Sequence, residues 1–470
     1  MSHELLSILV LAGVFLIATV LPVHMGALAL VATYIVGTYV LGEDMDTILG
    51  GFPADLFMIL VGVTYLFALA TDNGTVDWIV ARAVRSVGGR IVLIPWVMFG
   101  VTAALTAVGA VVPAAVAIIA PIAMGFARRY NIRPVLMGLM VINGASAGGF
   151  SPLSIFGSIV NGVVTRNNLP SNPVLLFVSS AAFNIVLGLI VFVLFGGRGL
   201  FGRRDKGDGI ATGGTTPADG GTTPADGGIG AGGGSHQPEL IATHGSHTSR
   251  ADTTAVQTTP VPGGAAVATD IALDRSRWIT LIGIAALAVA VLFFNQDVAF
   301  TSLLVAVVIS LFSPSINKGA ISKIAWPTVL LICGIVTYVA MMQRVGTIDW
   351  LGNGVAHLGA PLVSAILICF IAALVSAFAS TTGILGALIP MAVPFLLTGQ
   401  VGPVGMVIAL SISASVVDSS PFSTSGALVV ANSAEDQRDK VFRQLVRWGF
   451  SMVAIAPIAT WLIFVLPGWG

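Results

Sequence analysis

Apolar runs of membrane-spanning length follow one another along most of this chain. A helix needs about 20 apolar residues to cross the hydrocarbon core of a bilayer. The first half carries such runs near 5–21, 25–41 and 54–71, a mixed segment at 74–90, a run of small residues at 91–127, and further runs at 134–165 and 173–196. The second half repeats this order, with runs near 279–295, 299–313 and 324–342, a mixed segment at 346–358, a small-residue run at 360–398, and runs at 402–431 and 447–467. The pattern predicts an all-α integral membrane protein.

Two of these runs contain a Ser-Pro pair in matching surroundings. Residues 150–160 read FSPLSIFGSIV and residues 419–429 read SSPFSTSGALV, so both carry Ser-Pro-x-Ser-x-x-Gly. Proline lacks a backbone N–H and clashes with the preceding helical turn. In hydrocarbon, freed backbone groups are tolerated only where they face protein or a water-filled cavity. Each run is therefore predicted to be a broken helix.

The two halves of the chain are predicted to be repeats. GTVDW at 74–78 matches GTIDW at 346–350, and Pro121 and Ser151 each recur 269 residues later as Pro390 and Ser420. Internal repeats of this kind are typical of many carriers. We therefore divide the chain into a first transmembrane repeat at 1–198, a linker at 199–275 and a second transmembrane repeat at 276–470. The linker is rich in Gly, Thr, Ala, Pro and Ser, a composition that predicts disorder.

The distribution of basic residues predicts how the repeats cross the membrane. If the small-residue runs are re-entrant hairpins, each half has about five full spans and the second half is inverted. With the linker in the cytoplasm, only Arg166 and Arg344 of the 21 Lys and Arg residues fall outside. Cytoplasmic loops carry an excess of Lys and Arg. We expect two inverted repeats, each with one re-entrant hairpin and one broken helix, and both chain termini outside.

Composition narrows the class of protein. The chain is 56% hydrophobic and 9% charged, whereas soluble domains average about 25% charged residues. Cys333 and Cys369 lie in apolar runs, where free Cys behaves as a small hydrophobic residue. The sequence has no nucleotide-binding loop and no cluster of His, Cys or acidic residues at membrane depth. We expect neither an enzyme nor a nucleic-acid partner, and a lipid bilayer as the surroundings.

The Ser-Pro breaks are the first candidates for a binding site. The N-terminus of a half-helix offers free N–H groups and a partial positive charge, which favour an anion. The tip of the second hairpin, SAFASTTG at 376–383, adds hydroxyl groups, whereas the aligned first tip, AVGAVVPA at 107–114, has none. The predicted substrate-binding residues are Ser151, Pro152, Ser154, Ser380, Thr381, Thr382, Ser420, Pro421 and Ser423. The alternative is structural: Pro-kinked helices whose serines bond their own backbone, and a hairpin that packs through small residues.

Asp418 is the outstanding ionisable residue at membrane depth, and it aligns with Gly149. Such residues are costly in a bilayer and usually functional. We predict that Asp418 binds Na⁺ or carries H⁺, or alternatively that it caps the second half-helix. The other predicted ion-binding residues are Asn143, Ser146, Gly149, Ser415 and Ser419. Asp77 and Asp349 are expected at the starts of interfacial helices.

The segment DLFMILVGVTYLFA at 55–68, followed by NGTVDW at 73–78, resembles the N-terminal signature of the malonate/dicarboxylate carrier family (MatC type) of the ion transporter superfamily. The wider fold is similar to that of divalent anion/sodium symporters. The resemblance implies an elevator-type homodimer in a bacterial-type inner membrane, with no cofactor and with Na⁺ or H⁺ as the coupling ion. The hairpin tips of those symporters carry Ser-Asn-Thr, which Ser380-Thr381-Thr382 matches in part and Val111-Val112-Pro113 does not.

Together these observations predict a secondary active transporter that imports a small dicarboxylate such as malonate, coupled to Na⁺ or H⁺. Two alternatives stay open. One is an antiporter for Na⁺, H⁺ or another inorganic ion that uses Asp418. The other is a membrane receptor or assembly protein that transports nothing.

Overall fold

The computed structural model describes residues 2–21, 23–85, 90–203, 273–294, 296–313, 319–347, 350, 360–377, 381–397 and 399–468. In this part of the chain the structure is built from helices, as the apolar runs predict. The described residues of both halves pack into one compact unit. Nearly all of the predicted linker lies outside the described residues, and so does Asp349. The linker's disorder and the domain boundaries therefore stay predictions.

The helices follow the predicted order in both halves. Those of the first half are His3–Val20, Met25–Ile35 with the π-helical continuation Val36–Val40, Met45–Gly50, Ala54–Asp72, Thr75–Arg85, Ile94–Ala107, Val112–Arg129, Pro134–Gly148, Ile155–Arg166 and Pro173–Leu194. Those of the second half are Arg275–Phe294, Val298–Phe312, Trp326–Arg344, Pro361–Ser376, Thr381–Leu397, Pro403–Val416, Thr424–Ala431 and Glu435–Thr460 with the π-helical Trp461–Val465.

Both small-residue runs fold as pairs of helices joined by a short turn. We call Ile94–Ala107 with Val112–Arg129 the first hairpin, and Pro361–Ser376 with Thr381–Leu397 the second hairpin. Gly109, in the first turn, has φ of 118°, a left-handed value that favours glycine. Re-entry of these hairpins, as opposed to full crossing, stays a prediction.

Both Ser-Pro runs are broken, as predicted. The first broken helix consists of Pro134–Gly148 and Ile155–Arg166, and the second consists of Pro403–Val416 and Thr424–Ala431. A 3₁₀ turn, Val417–Ser419, ends the first part of the second broken helix. The interruption lies where proline removes a backbone donor.

Six helices in the described part of the chain are long and apolar enough to cross a membrane. They are Ala54–Asp72, Val112–Arg129, Pro173–Leu194, Trp326–Arg344, Pro403–Ala431 taken across its break, and Glu435–Val465. Shorter apolar helices accompany them. The chain is a multi-pass membrane protein.

Long helices of the two halves pack against each other in a reciprocal pattern. Ala54–Asp72 packs on Val298–Phe312, and Trp326–Arg344 packs on Met25–Ile35. In the second contact, a Cβ atom on Gly26 would collide with the backbone of helix Trp326–Arg344. Small residues of this kind let two helix backbones approach closely in a membrane. The same pairing thus occurs twice with the halves exchanged, as a duplicated chain predicts.

The hairpins and broken helices are exchanged in the same way. Ile155–Arg166 of the first broken helix packs on Thr381–Leu397 of the second hairpin. Thr424–Ala431 of the second broken helix packs on Val112–Arg129 of the first hairpin. Each hairpin also packs on the first part of its own broken helix. Both breaks therefore lie among elements of both halves.

Ion pairs mark the two ends of helix Ala54–Asp72, which rises about 28 Å over its 19 residues. At its start Asp55 pairs with Arg166, and at its end Asp72 pairs with Lys323. That length is close to the thickness of a bilayer core, about 30 Å. Arg166 and Lys323 therefore lie at opposite membrane faces, as their predicted outside and inside positions require. Which face is cytoplasmic stays a prediction.

Candidate functional site

The two breaks have the same backbone arrangement. Ser154 is the N-cap of the second part of the first broken helix, and Ser423 is the N-cap of the corresponding part of the second. Pro152 and Pro421 each lie two residues before the cap. Ser420, which precedes Pro421, has an extended backbone with φ of −65° and ψ of 139°. The chain thus leaves one half-helix, runs extended through Ser-Pro and restarts at a capped N-terminus.

The Ser423 hydroxyl bonds the backbone of the second break. Ser423 Oγ lies 2.5 Å from the carbonyl oxygen of Asp418 and 2.7 Å from that of Ser420. It also accepts the Gly426 N–H at 3.3 Å. The hydroxyl hydrogen can therefore reach either of two carbonyls freed by the break, and the oxygen satisfies a free amide of the helix start.

Ser154 has the same role in the first break. Its hydroxyl contacts the carbonyl oxygens of Gly149 and Ser151, and its oxygen accepts the Gly157 N–H at 3.2 Å. Ser154 and Ser423 were both predicted to bind substrate. In this structure their hydroxyls bond the backbone around them, which is the structural alternative for these two positions.

Ser151 and Ser420 differ from the capping serines, because their hydroxyl hydrogens keep a free direction. Ser151 Oγ accepts the Leu153 N–H at 3.2 Å, and Ser420 Oγ accepts the Phe422 N–H at 3.3 Å. Neither hydroxyl donates to another of the described residues. A serine hydroxyl has one donor and two acceptor positions. Each of these two serines therefore has a donor left for a ligand.

Asp418 lies in the second break and is 3% exposed. Its Oδ2 accepts the Ser425 hydroxyl at 2.6 Å, and the Ser423 hydroxyl, the Thr381 hydroxyl and the Ser425 backbone N–H interact with the same carboxylate. The contact with the first turn of Thr424–Ala431 agrees with the capping alternative. Among the described residues, no ion pair includes Asp418. A buried carboxylate without a basic partner is also what an ion or proton site requires.

The described residues of the second hairpin tip are linked to the second broken helix. Ser376 Oγ donates to the Ala414 carbonyl at 2.7 Å and lies 3.1 Å from Thr381 Oγ1. Thr382 is buried beside them. Ser380, also predicted to bind substrate, lies outside the described residues. Thr381 therefore connects the tip to the Asp418 carboxylate.

Ser146, a predicted ion-binding residue, contacts helix Pro173–Leu194 through its backbone carbonyl, and Asn143, also predicted to bind an ion, lies one turn before Ser146 on helix Pro134–Gly148. Ser180 of that helix donates to the Ser146 carbonyl at 3.3 Å, and Asn184 Nδ2 donates to the Ser180 carbonyl at 2.9 Å. Asn143 Nδ2 and Asn184 Oδ1 are buried, with no hydrogen bond to any described residue. Asn143 precedes Gly149 by six residues, so it lies about 9 Å from Gly149 along the helix axis.

Ser415 and Ser419, the other predicted ion-binding serines, bond their own helix end. Ser415 Oγ donates to the Ile412 carbonyl at 3.2 Å, and Ser419 Oγ donates to the Val416 carbonyl at 2.9 Å. Their oxygens retain acceptor positions. They could serve an ion only through those positions.

Two family comparisons decide the class of this protein. Residues 1–149 match the family described as dicarboxylate carrier protein MatC, N-terminus, and residues 296–468 match the family described as citrate transporter. The chain is a membrane transporter of the dicarboxylate/citrate type. The resemblance found in the sequence is thereby confirmed, and the transporter is a carrier, not an enzyme.

The fold of the transporter is also that of a solved carrier. It aligns with the crystal structure of the YdaH transporter from Alcanivorax borkumensis, which is described as having an unusual topology. The TM-score is 0.55 and the sequence identity 14%, over 98% of each chain. A comparison with curated proteins gives no match.

In this conformation the breaks of the transporter are shielded from solvent. Ser151 is 6% exposed and Ser420 is 3% exposed, and the capping serines are buried more deeply still. A solute can reach these residues only after neighbouring elements move. Substrate entry therefore requires a second conformation.

Ser425 and Asn184 were missed as functional candidates. Ser425 stands inside the second Ser-Pro stretch, SSPFSTSGALV, and the 269-residue offset pairs it with Phe156. A polar residue that replaces an aromatic one in the second copy of a repeat is a signal the sequence did contain. Asn184 was also visible, as an amide inside an apolar run.

Proposed function

We propose that the transporter imports a small dicarboxylate, with malonate as the first candidate, together with Na⁺ or H⁺. The match of residues 1–149 to a dicarboxylate carrier family supports the substrate class. The buried carboxylate of Asp418 supports the use of a coupling cation. The citrate transporter match at 296–468 makes citrate the first competitor.

The observation that carries the proposal is the pair of break serines. Ser151 and Ser420 each offer a hydroxyl donor beside the N-terminus of a half-helix. The Val417–Ser419 turn of the second break packs against helix Pro134–Gly148, the first part of the first broken helix. Two such donor sets, each with the partial positive charge of a helix start, suit a ligand with two carboxylates.

A bound cation would complete this site. No Lys or Arg falls at the predicted membrane midplane, so hydroxyls, amides and helix ends have to hold the anion. Asp418 lies two residues from Ser420 and would place a cation beside the substrate. When each ligand improves the binding of the other, the coupling is reciprocal. This reciprocity is the physical basis of symport.

For the transport step we propose an elevator-type motion in a homodimer. The hairpins and broken helices pack on one another across both halves, and this packing supports their movement as one unit. The unit would move against the long helices Ala54–Asp72 and Trp326–Arg344, carrying the substrate and ion with it. In a bacterial-type inner membrane, the inward Na⁺ or H⁺ gradient would drive import.

Uptake of labelled malonate into proteoliposomes tests the proposal. A Na⁺ gradient and a pH gradient are imposed separately on the full-length protein, with unlabelled citrate as competitor. We expect one gradient to drive uptake, and Asp418→Asn to abolish its effect. Asp77→Asn, an exposed carboxylate outside the site, is the matched control and should behave as wild type. Folded protein that takes up no malonate under either gradient would reject malonate, and uptake of citrate instead would name the alternative substrate.

The antiporter alternative has one observation in its favour, the burial of Asp418 without a basic partner. An antiporter would exchange Na⁺ or another inorganic cation for H⁺ through this carboxylate. It predicts Na⁺ flux in proteoliposomes without any organic substrate, and that flux should disappear in Asp418→Asn. Absence of all flux would leave the receptor or assembly alternative.

A further inference from the structure

The second break contains a compact polar group. The Asp418 carboxylate accepts the Ser425 hydroxyl at 2.6 Å and interacts with the Thr381 hydroxyl of the second hairpin tip. All three residues are buried. Thr381 is further fixed by Ser376, 3.1 Å away. One carboxylate and two hydroxyls from three elements thus converge at one place.

The first break has the same three positions, but each carries an apolar residue. The 269-residue offset pairs Asp418 with Gly149, Ser425 with Phe156 and Thr381 with Val112. The spatial arrangement agrees with this alignment: a Cβ atom on Gly149 would lie 3.2 Å from the Phe156 ring and 3.3 Å from a Val112 methyl group.

A second aromatic ring reinforces this apolar filling. Phe150, which aligns with Ser419, has its ring centroid 5.5 Å from that of Phe156. The side chains of Phe150 and Phe156 are both almost completely buried. The space that holds oxygen atoms in the second break is therefore filled with carbon in the first.

The backbone does not explain the difference, since both breaks share it. Ser154 and Ser423 cap their helices alike, and both cap hydroxyls contact the carbonyl oxygen of the residue five positions earlier. The two copies thus present the same frame with different side chains. An ion leaves water only where protein oxygens replace its hydration shell, and a bare carboxylate in hydrocarbon needs a proton or cation.

We infer that the transporter binds a single coupling ion in each cycle, at Asp418, Ser425 and Thr381 of the second break. Phe156 and Val112 exclude an ion from the matching position of the first break, and so set the ion-to-substrate ratio. This inference rests on the proposed symport and deepens it. With a divalent substrate anion and one monovalent cation, each cycle moves a net negative charge.

The ratio can be measured from the balance of gradients in proteoliposomes held at zero membrane potential. For one ion per substrate, a tenfold ion gradient balances about a tenfold substrate gradient, and for two ions about a hundredfold one. We expect the value for one ion, with gradient dependence lost in Asp418→Asn and kept in Asp77→Asn. A value for two or more ions, or an Asp418→Asn transporter that is still coupled, would overturn the inference.

Transplanting the polar group tests the role of the apolar residues. The triple substitution Gly149→Asp, Phe156→Ser and Val112→Thr gives the first break the side chains of the second. If the variant folds and transports, we expect its balance point to move toward the value for two ions. A folded variant with the wild-type ratio would show that these three residues do not set it. If the variant does not fold, the wild-type ratio still decides the number of ions.

Direct binding separates failure of this inference from failure of the proposed function. If no malonate or citrate moves under any gradient, the proposed function fails, and the ion count is read on purified protein instead. One ²²Na⁺ per chain, or one proton taken up on acidification, absent in Asp418→Asn in either case, would support the inference. Two bound ions, or no difference between wild type and Asp418→Asn, would refute it.

Discussion

Gly157 and Gly426 allow the second part of each broken helix to pack closely against the Ser-Pro residues that precede it. A Cβ atom on Gly426 would collide with the Ser420 carbonyl oxygen, and one on Gly157 would collide with that of Ser151. These glycines are helical, so the need is for space and not for an unusual backbone angle. This close approach lets the hydroxyl of the capping serine contact a carbonyl oxygen on the other side of the break. The Ser-Pro-x-Ser-x-x-Gly pattern is therefore one structural unit.

Gly426→Ala should destabilise the transporter, because the new methyl group meets a backbone oxygen that cannot move aside. Overpacking of this kind costs about 1–3 kcal/mol. Gly125→Ala is the matched control: it also lies in a helix, but a Cβ atom there has nothing within 4 Å. Thermal unfolding of the purified proteins should show a lower midpoint for Gly426→Ala only. Equal midpoints would mean that the break accommodates the added methyl group without a loss of stability.

Ser420→Ala and Ser423→Ala should separate binding from stability. Ser423→Ala removes an N-cap and should lower stability by about 1 kcal/mol, with little effect on substrate affinity once the protein is folded. Ser420→Ala removes a donor that the fold leaves free, and should weaken substrate binding by about 1–3 kcal/mol. Uptake KM and thermal unfolding, measured on both variants, distinguish the two roles. The reverse result would mean that Ser423 binds substrate and that Ser420 stabilises the break.

At the scale of elements, the end of the first broken helix is tied to two long helices. Arg166 Nε donates to Asp55 Oδ2 at 3.1 Å, and a second guanidinium nitrogen pairs with the other carboxylate oxygen. Gln343 Nε2 donates to Asn167 Oδ1 at 2.9 Å. If the broken helix moves against Ala54–Asp72 during transport, these contacts have to break. They favour the conformation described here.

Asp55→Asn should therefore shift the conformational equilibrium modestly away from this state. Partly exposed ion pairs contribute about 0.2–1 kcal/mol. A double-mutant cycle of Asp55→Asn and Arg166→Gln on thermal stability should give a coupling energy in this range, smaller at high salt because exposed charges are screened. The single variants should also change the rate of uptake. Additive effects of the two substitutions would show that the pair contributes nothing.

Most of the element pattern could be predicted from the sequence, because span length and proline placement are local properties. The run predicted at 173–196 is the helix Pro173–Leu194, and the run at 134–165 is the first broken helix. Roles within the break could not be predicted in the same way. Ser420 and Ser423 are the same residue type three positions apart, and only the path of the backbone decides which hydroxyl is consumed. Asn184 belongs to helix Pro173–Leu194, which packs on the first broken helix but follows it in the sequence.

At the scale of the whole molecule, polar contacts between side chains lie at two opposite ends of the packed helices. Arg344 forms a bidentate pair with Glu43, with N–O distances of 2.8 and 2.9 Å. The Arg344 guanidinium also approaches Gly51, close to the start of Ala54–Asp72. Arg344 and Arg166 thus share one end of that helix, opposite Lys323. This agrees with the two basic residues that the sequence places outside.

Cysteine labelling can decide which end faces the cytoplasm. Cys333 and Cys369 are buried, so both are replaced by Ala before a reporter is introduced. We expect Ser2→Cys to react with a membrane-impermeant maleimide added to intact cells, because the N-terminus is predicted outside. Arg82→Cys should react only after permeabilisation, because Arg82 belongs to the predicted cytoplasmic group. The opposite pattern would reverse the orientation of the transporter.

The exchanged packing of hairpins and broken helices makes the two halves mutually dependent parts. Each half leaves a surface that only the other half covers, so neither should be stable alone. Covalent continuity between them should then matter little once both are in the membrane. Residues 1–203 and 273–470, made as separate polypeptides in one cell, should assemble and purify together as a working carrier. A gene divided within the linker region would thus still encode one functional transporter.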